Sequence, residues 1–322
     1  MGHDEAGILV MVFTVIFCLA QIILALCGIF GHSVILFATY KTKEIQTKYG
    51  LLLVQLSVAH IICILGQLVN TAFLVVMPVI GQMLCFRIFF VFMASMFWQS
   101  IIVLIISIDL LCAIVIPLLY RKWTVKLCVT MNIVVCCSLA IVDTAIAYGA
   151  INAKEKSECN IYSIRAHKVS IYAEVFSYCV AALQVLTYLT CYTIMYIRAK
   201  MFTRKNKNAC FRNQHRKTMR TISVMVVIYV CTWVLSIVIT RFADFVSSSA
   251  WRRLLWMIAS LLQMLCFIQT FYVCYQRSSE YRNIFRRLHK SIKWLQKVKD
   301  IGSTVCHGTE ASQAKRVFFI TK

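Results

Sequence analysis

The chain has 322 residues, of which 61% are hydrophobic and only 14% charged, and its mean hydropathy is positive. A soluble protein of this length has too little interior to hide so much apolar surface, so lipid is the solvent for most of the chain. The net charge of +22 would suit nucleic acid, but 26 of the 34 Lys and Arg fall in segments 41–48, 121–126, 198–220 and 277–322, which would share one side of a membrane. Anionic lipid heads and the positive-inside bias explain that distribution better than a phosphate-binding groove, so no nucleic-acid partner is expected.

Seven apolar stretches follow in chain order, at about 8–39, 49–77, 84–117, 127–151, 169–197, 219–241 and 253–275. Each is long enough to cross a hydrocarbon core of about 30 Å. Each must be helical, because lipid offers no partner to the backbone of an open strand. The first stretch is too long for the core of a signal peptide and is expected to stay as a helix. An odd number of spans and the basic loops predict an extracellular N-terminus and a cytoplasmic C-terminus. The two prolines, Pro78 and Pro117, sit at span ends, so span interiors carry no proline kink. No N-x-S/T sequon and no internal repeat is present, so a transporter built from repeats gains no support.

The stretch 198–220 carries nine basic residues, Arg216, Lys217 and Arg220 among them, and no acidic one. It reads either as a solvated positive-inside loop or as a docking surface for an acidic partner. Beyond the seventh span, Tyr281, Ile284, Phe285, Leu288, Ile292 and Leu295 recur at helical spacing opposite a basic face. Residues 276–298 are therefore expected to form an amphipathic cytoplasmic helix on the membrane lipid, and 299–322 a flexible cytoplasmic tail. Cys306 in that tail reads as a plain cysteine or as a palmitoylation site.

Inside the spans, Asp143 in the fourth and Glu174 in the outer part of the fifth are carboxylates at membrane depth. Such groups are costly and usually face the bundle interior, as ligand contacts or as interhelical bonds. His32 in the first span and His60 in the second read as a buried titratable pair or as two neutral histidines that pack and hydrogen-bond. No nucleophile–base pair and no metal-ligand cluster of useful spacing appears, so neither an enzyme nor a metal or cofactor is expected.

Asp109 stands 24 residues after Cys85, in the run I-D-L-L-C-A-I-V-I-P-L-L-Y-R that closes on Pro117, Tyr120 and Arg121. That run resembles the end of the third transmembrane helix of rhodopsin-like G-protein-coupled receptors, D-R-Y-x-A-I-x-x-P-x-x-Y, with Leu110 in place of the arginine and Leu111 in place of the tyrosine. G-I-F-G-H-S-V-I-L resembles the family's G-x-x-G-N-x-x-V with His32 for the asparagine. L-S-V-A-H resembles L-A-x-A-D with His60 for the aspartate. Y-V-C-T-W-V-L resembles C-W-x-P with one residue inserted and the proline absent, and T-F-Y-V-C stands where the family has N-P-x-x-Y. The S-x-E-Y-R-x-x-F run after the seventh span resembles the eighth helix of nematode serpentine receptors, of class SX or a neighbouring class.

The resemblance implies an all-α membrane protein: a seven-transmembrane helix bundle over 1–275 with a short amphipathic eighth helix. It implies a multi-pass receptor of the plasma membrane in a sensory cell, binding a small environmental molecule and acting through a heterotrimeric G protein. It implies a disulfide between Cys85 and Cys159, which an oxidising outer side would permit; two unpaired thiols are the plain alternative. It places a ligand pocket near Phe92, Met93, Met96, Phe97, Tyr229 and Trp233, with Glu174 as a further contact, although aromatic and Met stripes at helical spacing also make ordinary core. It places an inner-face switch at Asp109, Leu110, Pro117, Tyr120 and Arg121. With Leu110 present the family's arginine contact cannot form, and Asp109 is left to pair with Arg121, with a cation of 198–220, or with water. The family's sodium site is not expected either, because imidazole is a poor ligand for a hard cation. A seven-helix channel subunit or transporter without G-protein coupling is the alternative.

Overall fold

The computed structural model describes residues 3–76, 78–149, 151, 156–164, 167–203, 209–278 and 281–287. The long helices are α1 (His3–Lys41), α2 (Lys48–Val76), α3 (Gln82–Val115), α5 (Val125–Gly149), α7 (His167–Thr203), α8 (Ala209–Asp244) and α9 (Ser249–Arg277). All seven are long and apolar enough to cross a membrane. Between them lie β1 (Val79–Gly81), the short helix α4 (Pro117–Lys122), β2 (Lys156–Glu158) and the single turn α6 (Ile161–Ile164). Residues 281–287 form a separate helical turn, α10, with Tyr281, Ile284 and Phe285 on one face and Asn283, Arg286 and Arg287 exposed. Residues 288–322, Cys306 included, lie outside the described residues.

Local chemistry sets the helix ends. The Thr47 hydroxyl accepts the Gly50 amide at 3.1 Å and caps α2, and the Thr124 hydroxyl accepts the Leu127 amide at 3.2 Å and caps α5. Pro117 cannot continue α3, so the chain breaks at Ile116 and restarts as α4 with proline in its first turn. Most of the basic stretch 198–220 is helix, because α7 runs to Thr203 and α8 starts at Ala209.

The bundle is arranged around α3 and α9. α3 packs on α2, α5 and α7, and α9 packs on α8, α1 and α2. Small residues allow the closest approaches. A Cβ on Gly28 would lie 2.6 Å from side-chain atoms of Ile64 and Ile268, and one on Gly31 would lie 2.8 Å from Phe271 Cβ. Polar side chains add bonds between helices: the Ser260 hydroxyl of α9 accepts the amides of Gln21 of α1, at 2.8 Å, and of Gln67 of α2.

Candidate functional site

The two ends of the bundle and its centre each gather residues that the sequence singles out. At one end, Cys85 and Cys159 form a disulfide with a Cα–Cα distance of 5.6 Å. It fastens the segment between α5 and α7 to the first turn of α3. β2 of that segment pairs antiparallel with β1, Val79 opposite Glu158, and the Cys159 amide donates to the Pro78 carbonyl at 2.9 Å. The chain then turns inward, so Cys159, Asn160 and Ile161 are almost fully buried. Asn70 of α2 accepts the Ile161 amide through Oδ1 at 3.0 Å. Tyr162 stacks on Trp256 of α9 at 5.9 Å, and its hydroxyl donates to Gln263 Oε1 at 3.5 Å. Beneath it, Phe17, Leu74, Ala243, Trp256 and Met257 close an apolar cluster of α1, α2, α8 and α9.

Below this cap lie the side chains of the expected ligand pocket. Met93 and Met96 are buried in the bundle. Phe92 is buried as well, but its ring lies on Gly66 of α2, where a Cβ would come within 2.5 Å of it. Phe92 is thus part of the α2–α3 contact, on a different side of α3 from Phe97, which stacks on Phe176 of α7 at 4.5 Å. Trp233 stacks on Tyr229 at 6.0 Å, one turn away on α8. The Tyr229 hydroxyl donates to Ser100 Oγ of α3 at 2.7 Å, and the Gln184 amide of α7 donates to the Ser100 carbonyl at 3.2 Å. Ser100, which the sequence did not single out, is therefore where α3, α7 and α8 meet. Asp143 is half-buried in α5. Glu174 lies in α7, and its side chain is outside the described residues.

His32 and His60 do come together, with ring centres 5.0 Å apart. His32 Nε2 donates to the Phe267 carbonyl at 2.9 Å, which fixes its tautomer, and His60 Nδ1 lies 3.4 Å from the Thr270 hydroxyl. The pair ties α1 and α2 to α9. Among the described residues no group of three or more His, Cys, Asp or Glu is placed to hold a metal ion.

At the opposite end, the Tyr120 hydroxyl of α4 donates to Asp109 Oδ2 at 2.9 Å. Lys48, in the first turn of α2, donates to the Tyr120 carbonyl at 2.6 Å and lies 3.7 Å above the centre of its ring. Partial burial, and then the neighbouring Asp109 charge, push the Tyr120 phenol well above its ordinary range, so it remains a donor. Tyr120 was expected in this group, but not its bond to Asp109, and Lys48 was not expected there at all; the turn at Pro117 brings Tyr120 back over Asp109. The side chains of Arg121, Arg216, Lys217 and Arg220 are outside the described residues. Leu110 does not face solvent as an arginine would. It is buried with Ile114, Cys191 and Val226, and Tyr188 and Val230 pack around them, in an apolar plug of α3, α7 and α8. On α4 itself, Leu118 is 79% exposed beside Lys122, an apolar knob that hydropathy could not separate from the adjoining span.

The model of the serpentine type 7TM GPCR chemoreceptor Srsx family matches residues 25–289, most of the chain. The chain belongs to this family. The match spans all seven helices after the start of α1, both cysteines and the Asp109-to-Arg121 run. A comparison with curated proteins gives no match. As a member of the Srsx family the chain is a multi-pass membrane protein of the chemoreceptor GPCR type. Within this Srsx-family chain, Leu110, His32 and His60 occupy positions that sequence resemblance assigns to an arginine, an asparagine and an aspartate.

Proposed function

We propose that the protein is a chemosensory receptor of the plasma membrane that binds a small environmental molecule in the disulfide-bearing half of the bundle and signals through a heterotrimeric G protein at the Asp109 end. The observation that carries this reading is the family match over residues 25–289. The distribution of Lys and Arg supports an orientation with the disulfide outside, the C-terminus in the cytoplasm and residues 276–298 against the inner leaflet.

In this reading the ligand lies near Met93, Met96 and Trp233, with Phe97 and Glu174 at the α7 side. Trp233, Tyr229 and Ser100 form an unbroken path of contacts from there towards the middle of the membrane. Displacement of Trp233 would pull Tyr229 from Ser100 and free α8 from α3. The inner halves of α7 and α8 would then move and carry the basic stretch 198–220 with them. The Asp109–Tyr120–Lys48 chain holds α4 to α2 and α3 in the resting state, in the role that Leu110 cannot fill.

The test is GTP exchange on a G protein in membranes from cells expressing the native chain or Leu110→Arg. Constitutive or ligand-evoked exchange by the native chain supports the reading. Exchange by the variant alone points to a scaffold that has lost coupling. A current carried by the native chain with no G protein present sinks the reading in favour of a channel.

A further inference from the structure

Arg252 and Arg253 stand side by side at the start of α9, at the disulfide end of the bundle, and both are half-buried. A helix start carries the positive end of the helix dipole, which favours carboxylates and disfavours cations. α9 nonetheless has no acidic residue in its first turn and no side-chain cap from Ser248. Asp244, the nearest carboxylate along the chain, is held by Arg241 at 3.3 Å. Among the described residues no carboxylate pairs with Arg252 or Arg253.

Two donors at this place are closed off from water without an acceptor. Arg253 Nε and Trp256 Nε1 are buried atoms with no hydrogen-bond partner in the protein. Trp256 is 6% exposed, and the Arg252 guanidinium lies 5.6 Å from the centre of its ring. A solvated arginine needs no protein partner, but a buried N–H without an acceptor is costly.

We propose that Arg252, Arg253 and the Trp256 indole form a recognition site for the carboxylate of a small organic acid with an apolar body. The polar groups of the site are donors only, so its partner must be an acceptor. An ionised carboxylate is acceptor-only and fits the fork of a guanidinium, and its charge offsets that of the arginines. The surroundings select the body of the ligand. Trp256 lies beside the pair, and Trp251 and Phe245 at the same end are 60% and 83% exposed. An inorganic anion gains nothing from these rings. A lipid headgroup fits less well, because the Trp256 ring against Arg252 also stacks on Tyr162 of the buried segment between α5 and α7, at 5.9 Å, which turns Arg252 towards the mouth of the bundle. None of Met93, Met96 and Trp233 belongs to this site, and its test needs neither a G protein nor signalling.

The test is arginine labelling by phenylglyoxal on the full chain in phosphatidylcholine nanodiscs, read residue by residue by mass spectrometry. Millimolar benzoate is expected to slow labelling of Arg252 and Arg253 about tenfold, as charge-assisted bonds to both guanidinium groups require. Exposed Arg286 serves as the reference and should label at an unchanged rate. Benzamide, which has the same shape and no charge, should protect neither arginine. Absence of protection by benzoate, or equal protection by benzamide, overturns the proposal. Inorganic phosphate protecting as well as benzoate shows an adventitious ion only and also overturns it. Protection without benzoate in nanodiscs containing phosphatidylserine gives the site to a lipid headgroup, with the same consequence. Arg253→Gln should reduce the protection of Arg252 by benzoate to less than about twofold, because one of the two guanidinium partners is lost; undiminished protection would remove Arg253 from the site. If that variant does not reach the membrane, the comparison of benzoate with benzamide on the native chain decides alone.

Discussion

The disulfide end and the Asp109 end of the bundle are closed by different kinds of interaction. The first is fastened by a covalent bond, a pair of strands, a buried side-chain bond from Asn70 and the Tyr162–Trp256 stack, all within a few residues of one segment. The second is closed by an apolar plug and by single bonds from half-buried groups, Tyr120 to Asp109 and Lys48 to Tyr120. Covalent and buried contacts resist opening, whereas apolar contacts can slide and part-exposed polar bonds exchange with water at small cost. The difference teaches where this bundle can move: the Asp109 end can rearrange while the disulfide end holds its shape.

The sharpest way to break that contrast is to cut the covalent tie. Cys159→Ser is expected to cost about 2–5 kcal/mol and to lower the amount of folded protein at the cell surface severely. The measurement is surface labelling together with the melting temperature in detergent. Loss of the tie should affect the disulfide end alone and leave the Tyr120–Asp109 bond in place.

A steric probe of the Asp109 end comes next. A Cβ on Gly50 would lie 1.8 Å from the Ile45 carbonyl oxygen, a backbone atom that cannot swing aside. Gly50→Ala should therefore cost about 1–3 kcal/mol, read as a lowered melting temperature, whereas Gly81→Ala, with open space around it, should change nothing measurable.

At the disulfide end, Asn70→Ala strips the Ile161 amide of its buried acceptor and should cost about 1–3 kcal/mol. Hydrogen exchange at Ile161 should rise while exchange in α4 stays constant. An equal rise in both would show that the two ends are coupled more tightly than their contacts suggest.

Tyr120→Phe is the gentlest of the four. It removes one charge-assisted bond from a half-buried carboxylate and should cost about 1–2 kcal/mol. Its clearer readout is basal GTP exchange, expected to rise as α4 is released from α3. Lys48→Met should act in the same direction and more weakly, since its cation–π contact is worth about 0.5–1 kcal/mol at a half-exposed site. Unchanged exchange in both variants, with the native chain active, would remove this chain of bonds from the switching mechanism.

Composition alone determined that this chain is a bundle of seven membrane-crossing helices. Lipid satisfies no backbone group, so seven long apolar runs have one available secondary structure. The Asp109-to-Arg121 run and the S-x-E-Y-R-x-x-F run carried a resemblance to the family, which the match over residues 25–289 bears out. Which faces meet was not legible. Helices apolar on every side carry no periodic signal to separate lipid-facing from core-facing positions. Hence only the tertiary structure placed Phe92 on Gly66 instead of beside Phe97, gave Asp109 the Tyr120 hydroxyl as its partner, and buried Leu110 in the apolar plug of α3, α7 and α8. Those outcomes depend on how each helix is rotated about its axis, and close packing of neighbours sets that rotation.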